Sequence, residues 1–276
     1  MSQLIDNLNT IESIKTDIKA AIENKGVDMT GVSFPGYASK IGEISGGGTI
    51  GWDQKSLTEG TIELINLDNS ASFVASNAFN GNRNIQTVIL PYATYVGDNA
   101  FNSCNRLSQV SLPVCSIIGN GGFFSCKSLT QVSLPMCTKV MKDCFQGCIS
   151  LSQLNLPVCS YVDNTVFWGC NRLSQVSLPV CKKIGFYVFY DCKSLSQVSL
   201  PMCNTIGVNA FQGCKSLSII TIGYSSVCSL AGSNAFNNTQ ITSSKGSIYV
   251  PTSLVDVYKS AKNWSYFSTQ IFPIPE

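Results

Sequence analysis

Thiol chemistry is what the residue types of this chain offer first. Its 276 residues include 13 cysteines and no histidine. In a short secreted protein so many cysteines would read as a disulfide framework. The spacing points elsewhere. Cys104, Cys126, Cys148, Cys170, Cys192 and Cys214 follow one another in steps of 22 residues, and Cys115, Cys137, Cys159, Cys181 and Cys203 form a second series with the same step. A structural metal needs about four ligands meeting at one point, whereas a ladder spreads them along an axis. Same-slot thiols in neighbouring turns also have parallel side-chain directions, which suit packing better than the ~90° disulfide torsion. The thiols are therefore expected to be reduced, small buried hydrophobes. Cys144 and Cys148 make a CxxxC, but Cys144 takes the slot of Ala100, Val166 and Ala210 in other turns and reads as core.

Other chemistry is sparse. Without histidine there is no Ser-His-Asp or Cys-His catalysis and no His-ligated metal. Between Phe79 and Ala235 the only acids are Asp98, Asp143, Asp163 and Asp191. They are scattered, so a glycosidase-type carboxylate pair is not expected. No phosphate-cradling glycine loop occurs; Gly119, Gly185 and Gly207 recur as turn glycines. We expect no enzyme activity, no cofactor and no metal. Charged residues are 12% of the chain, against a usual ~25%. The net charge of +2 names no partner. No stretch approaches the ~18 apolar residues of a membrane span, and the first residues carry no basic region followed by an apolar run.

The element that must position these residues is a repeat. One turn runs from Ala100 to Gly121, and further turns start at Gly122, Cys144, Val166, Val188 and Ala210. A less regular copy begins at Ala78, and the copy from Ala210 degenerates after Ile222, as terminal turns that cap an open core do. Within a turn, Gln109-Val110-Ser111 predicts a short strand with Val110 inward and its neighbours outward. Pro113 lacks an N–H and ends the ladder. Phe101, Phe123, Phe145, Phe167, Phe189 and Phe211 are expected to fill the convex side, and Ile118, Val140, Val162, Ile184 and Ile206 to complete the core. About eight turns stacked at ~4.8 Å make a rod roughly 35–40 Å long.

Leu107, Val110 and Leu112 follow an L-x-x-L-x-L rule, and the whole turn resembles the BspA-like leucine-rich repeat family, with its A-F-x-x-C-x-x-L-x-x-V-x-L-P pattern. The resemblance covers about Ala78 to Pro251. It implies a repeat solenoid of the leucine-rich-repeat type with a parallel β-sheet on one face. It also implies adhesion on microbial or viral surfaces without fixing a ligand. Ile248 to Pro251 and a short helix through Leu254, Val257 and Tyr258 look like that family's C-terminal cap.

The first 45 residues differ. Leu4, Leu8, Ile11, Ile18 and Ile22 recur at helical spacing, and Gly26 ends the helix. Leu4, Ile11, Ile14, Ile18 and Ile22 are the candidate anchoring or oligomerising residues, through a short coiled-coil-like seam. The rival is a small helical cap packed within its own chain. Ile18 to Val27, followed by Phe34, Tyr37, Ala38, Ile41 and Ile44, resembles N-terminal modules of bacteriophage tail and fibre proteins. The expected organisation is a helical anchoring module at 1–45, a glycine-rich linker at 46–51 and an N-terminal solenoid cap at 52–77. The solenoid follows at 78–234 and a C-terminal cap at 235–276.

Differences between turns carry the recognition signal. The residue after each phenylalanine runs Asn80, Asn102, Phe124, Gln146, Trp168, Tyr190, Gln212. Phe186 and Tyr187 replace polar residues just before it, and Tyr161 varies nearby. Phe124, Tyr161, Trp168, Phe186, Tyr187 and Tyr190 are the candidate binding residues, since exposed aromatic clusters usually meet a partner. The alternative is that they fold back onto neighbouring turns. The Gln109 and Ser111 rows form either a polar face that supports stacking or a concave ligand surface. Arg106, Lys127, Arg172, Lys193 and Lys215 form either a solvated face or a weak attractor of anionic glycans; nucleic acid is not an expected partner.

These residues lead us to expect a phage virion fibre or adhesin, on tail or head. Its N-terminal module would contact other virion proteins or form a homo-oligomer such as a trimer. Its solenoid would meet a host-surface glycan or protein. The alternative is a bacterial BspA-like cell-surface adhesin.

Overall fold

The computed structural model describes residues 64–66 and 73–275. Candidate anchoring residues Leu4, Ile11, Ile14, Ile18 and Ile22, the linker at 46–51 and most of the expected cap at 52–77 lie outside them.

The glutamine-valine-serine segments form the expected strands: β3 (Thr87–Ile89), β5 (Gln109–Ser111), β7 (Gln131–Ser133), β9 (Gln153–Asn155) and β11 (Gln175–Ser177). The same ladder begins at β1 (Leu64–Asn66) and continues through β13 (Gln197–Leu200), β15 (Ile219–Ile222), β17 (Ser247–Val250) and β18 (Ile271–Pro273). All its pairs are parallel, and in the regular turns they keep the repeat register, so Gln109 faces Gln131 and Val110 faces Val132; the terminal pairs are offset further, as in Leu64 with Thr87 and Ile219 with Ser247. The period-2 alternation sends the central residue inward: Val110 is buried while Gln109 is exposed. Pairing runs in three segments, β1 to β7, β9 with β11, and β13 to β18.

A second parallel ladder flanks this expected sheet. Its two-residue strands are β2 (Phe73–Val74), β4 (Tyr95–Val96), β6 (Ile117–Ile118), β8 (Lys139–Val140), β10 (Tyr161–Val162), β12 (Lys183–Ile184), β14 (Thr205–Ile206) and β16 (Ser229–Leu230). The row expected only to fill the core, Ile118 to Ile206, supplies the inward residue of these strands. Each turn therefore has two hydrogen-bonded sides.

The third side has no strand. There, successive tight turns hold the phenylalanines in one stack. Ring centroids from Phe79 through Phe211 to Phe236 lie 5.1–5.8 Å apart with planes within 12° of parallel. Phe101 to Phe211 are fully buried, each contributing about 1.5–3 kcal/mol of transfer free energy. The stack stops at Phe236, where Trp264 tilts against it and Phe267 meets it edge-on. This is the C-terminal closure: α1 (Val255–Ser260) follows β17 and buries Tyr258. The Tyr258 hydroxyl accepts the Cys228 N–H at 2.8 Å, and the Trp264 indole donates to the Cys228 carbonyl at 2.6 Å. Val257, expected in the cap's short helix, is exposed; it lies next to Tyr258 in the chain, about 100° round the helix from it.

Candidate functional site

All 13 cysteines are buried and none is paired. Their packing role, expected from spacing, comes with a hydrogen-bonding role. In the first series Cys104, Cys126, Cys148, Cys170, Cys192 and Cys214 each donate S–H to the carbonyl of the phenylalanine 25 residues earlier, at 2.9–3.2 Å. In the second, Cys115, Cys137, Cys159, Cys181 and Cys203 donate to the carbonyl two residues on, at 3.2–3.3 Å. A thiol combines an apolar volume with a weak donor, so it fills the core and also serves a backbone carbonyl. Burial pushes the Cys104 and Cys170 thiols up to about 12 and Cys115 and Cys159 to about 11. Such thiols are poor nucleophiles near neutral pH. Among the described residues no three His, Cys, Asp or Glu side chains converge as a metal site.

The candidate aromatics separate into groups. Trp168, Tyr187 and Tyr190 come together. Trp168 stacks on Tyr187 with centroids 5.7 Å apart and planes 20° apart. Tyr190 leans across both, 4.9 Å from Trp168 and 5.7 Å from Tyr187. Trp168 remains 36% exposed, and the two tyrosines are half-buried. The rings thus fold partly onto one another, yet stay at the surface. Phe186, 49% exposed, lies over the next turn: a Cβ added to Gly207 would stand 2.8 Å from its ring. Phe124 is half-buried two turns before Trp168. Tyr161 belongs to the second ladder, where its hydroxyl donates to Asp163 at 3.2 Å and Lys183 stands 5.7 Å over its ring. Burial, followed by the Asp163 charge, raises that phenol's pKa. No ring contact joins Phe124, Tyr161 or Phe186 to the trio among the described residues.

The backbone marks this edge in a way that composition did not reveal. Two slots per turn have a left-handed conformation; the first holds Asn77, Asn99, Gly121, Asp143, Thr165, Tyr187 and Asn209, with φ between 53° and 60°, and the second, four residues later, runs from Gly81 to Gly213. Asn, Asp and Gly tolerate that region; a β-branched or bulky residue there is an outlier. Thr165 and Tyr187 are such residues; the first is three residues before Trp168 and the second is its counterpart one turn on. Thr165 is held by a hydrogen bond from its hydroxyl to Asp143. Tyr187 instead packs its ring on Trp168 and Tyr190. The signal was present in the sequence, as the only two departures from Asn, Asp and Gly in the first slot. It becomes readable only once the slot's φ is known.

The strand face is a different surface. The outward rows of the first ladder line a shallow groove of about 770 Å³ running from Thr87 to Thr221, with Gln131, Gln153 and Gln175 near its middle. No charged side chain lines it. Ser111 and Ser133 leave hydroxyls buried there without a hydrogen-bond partner. The basic residues Arg106, Lys127, Arg172, Lys193 and Lys215 are all exposed. The one ion pair among the described residues is Lys142–Asp143, at 3.7 Å.

The family model described as BspA type leucine rich repeat region matches residues 53–174 and 138–266. Among solved structures, a leucine rich cell surface protein from Faecalibacterium prausnitzii is 26% identical with a TM-score of 0.54, over 60% of this chain and 49% of that one. A leucine-rich repeat protein from Bacteroides ovatus has a TM-score of 0.58 at 23% identity, over 69% of this chain and 50% of its own. The leucine rich repeat protein of T. pallidum is 28% identical with a TM-score of 0.52, over 58% of this chain and 78% of that one. The chain spans about half the length of the first two. No curated protein matches it.

Proposed function

The chain belongs to the BspA-type leucine-rich repeat family, and on that premise we propose that it is a non-enzymatic binding protein displayed at a surface, with the Trp168 edge as its recognition site. The observation that carries the reading is the contact of three rings, Trp168, Tyr187 and Tyr190, on an outer edge where most other turns, Phe124 excepted, place polar residues. Nothing in the fold requires them there, because the neighbouring turns close with Gln146 and Gln212 in one slot and Thr165 and Asn209 in the other. Tyr187 also holds a conformation that an asparagine would adopt at less cost. Aromatic residues retained at an exposed position against a local cost are expected where a partner covers them.

Two carriers for this module are supported by different observations. The resemblance of Ile18 to Ile44 to phage tail and fibre modules supports a virion fibre or adhesin, anchored or oligomerised through Leu4, Ile11, Ile14, Ile18 and Ile22. The cell-surface description of the F. prausnitzii relative supports a bacterial adhesin. An antibody to the chain separates them by labelling either purified particles or bacterial envelopes.

Attachment tests the binding role itself. Labelled protein should bind a subset of a panel of intact bacterial cells. The variant with Trp168→Ala and Tyr190→Ala should lose that binding, since removing a central aromatic commonly costs ~2 kcal/mol or more, about 30-fold. Unchanged attachment would remove the edge from consideration and leave the groove over Gln131 to Gln175 as the recognition surface.

A further inference from the structure

We propose that the Trp168–Tyr187–Tyr190 platform takes a neutral sugar ring; the inference rests on the binding role given above and names the chemistry of its ligand. The three rings come from two adjacent turns, so the platform extends about one strand spacing along the rod, ~4.8 Å. That is the scale of one pyranose ring. Aromatic faces pack against the C–H face of such a ring, while hydrogen-bonding groups around the rim hold its hydroxyls. The rim here is made of amides. Gln146 and Gln212 occupy the Trp168 and Tyr190 slot in the turns immediately before and after, and both are half-buried. A carboxamide both donates and accepts, as a hydroxyl does.

One further amide bordering the rings has unmet capacity. Asn209, one repeat beyond Tyr187, is only 9% exposed, and its Oδ1 has no hydrogen-bond partner. Buried amide oxygens are normally satisfied, and this one stands unsatisfied in the slot next to Tyr187.

Charge and space exclude the competing ligands. The charged residues in these slots and beside them are Lys142, Asp143 and Asp191, and Lys142 is paired with Asp143 at 3.7 Å, so the local balance is acidic and an anionic sugar or phosphate would meet repulsion. The basic residues Arg172 and Lys193 belong to another row of the turn, next to the first-series cysteines. A cage for an ammonium group needs room between ring faces, with the cation within about 6 Å of each centroid. Here the rings already touch one another, 4.9–5.7 Å apart. A protein partner would need roughly 800 Å² of surface on this side, and the exposed apolar residue next to the trio in sequence is Phe186. Val114, Met136 and Met202, exposed, follow the proline at the end of the first ladder instead.

The test uses the full chain on an array of neutral and anionic oligosaccharides. Neutral glycans should bind, and anionic ones without a neutral terminal ring should not. Trp168→Ala should weaken the bound set at least tenfold. Tyr187→Asn guards against simple unfolding, because asparagine is the residue of Asn77, Asn99 and Asn209 in that left-handed slot. It should melt about 2–4 °C higher than the parent while losing sugar binding. Cells that bind the protein should lose that binding after periodate oxidation of vicinal diols and keep it after protease treatment. Binding confined to anionic glycans, or undiminished in both variants, overturns the proposal. Attachment that needs Trp168 but is destroyed by protease and indifferent to periodate would keep the recognition site and refute its sugar ligand.

Discussion

Two parts of the same turns obey opposite rules. The inner rows repeat almost without change: phenylalanine on phenylalanine and cysteine on cysteine, each against its copy one turn away. The outer edge changes from turn to turn, from Asn102 through Phe124 and Gln146 to Trp168 and Tyr190. In a solenoid every turn packs on its own copy, so an inner residue must fit both neighbours at once. An outer residue has no such constraint. Uniformity therefore reports folding, and departure from it reports something other than folding.

The largest test of the inner rows is alkaline. Burial raises the pKa of most of these thiols in the fold, to about 11 for Cys115 and Cys159 and about 12 for Cys104 and Cys170, against 9.0 for an ordinary thiol; Cys203 is the exception, lowered by its hydrogen bond with Cys228. Below pH 9 the raised thiols are protonated in both states, and their stabilisation is fully present. As pH rises from 9 towards 11 the unfolded chain loses protons and the native one holds them, so stability falls. Each thiol removes about 1.4 kcal/mol per pH unit in that window. A handful suffices to offset a typical ~5–15 kcal/mol. Circular dichroism against pH should show cooperative unfolding within this range, with thiol reagents reacting only as it proceeds. A chain still folded at pH 11.5 would break the idea that the thiols stay protonated inside.

Next in size is the phenylalanine stack. Phe145 touches Phe123 on one side and Phe167 on the other. Phe145→Ala should destabilise by roughly 3–5 kcal/mol, seen as a shifted denaturant midpoint, without a specific effect on attachment in protein that remains folded. The corresponding change one residue outward in the next turn, Trp168→Ala, should cost under about 1 kcal/mol in stability. A loss matching that of Phe145→Ala would erase the distinction between core and edge and place Trp168 in the core.

The smallest effect sharpens the comparison most. Thr165→Asn relieves the same kind of backbone conformation as Tyr187→Asn but removes no ring. It should raise stability by about 0.5–1 kcal/mol and leave attachment at the parental level. Calorimetry and the cell-binding assay read both. If Thr165→Asn also abolished attachment, the backbone of these turns rather than their rings would set recognition.

Much of this molecule was legible in the chain. The 22-residue period, the inward Val110 and Leu112, the buried phenylalanine row and the free cysteines all follow from pattern alone, because a repeat makes each local preference visible several times over. The Trp168 and Tyr190 edge was visible by contrast with that pattern. The second ladder was not, since two-residue strands such as Ile117–Ile118 are too short to show alternation. Nor were the S–H bonds to the phenylalanine carbonyls, which span 25 residues and depend on the stacking of turns. Sequence also grouped six aromatics on one edge, whereas the structure joins three: Tyr161 lies on the strand side, Phe124 two turns away and Phe186 over Gly207. Period and burial are local and recur with every turn, so the sequence by itself determined them. Which outer side chains meet is decided by the path of the chain around each turn and by the left-handed slot at Tyr187, and only the tertiary structure specifies those.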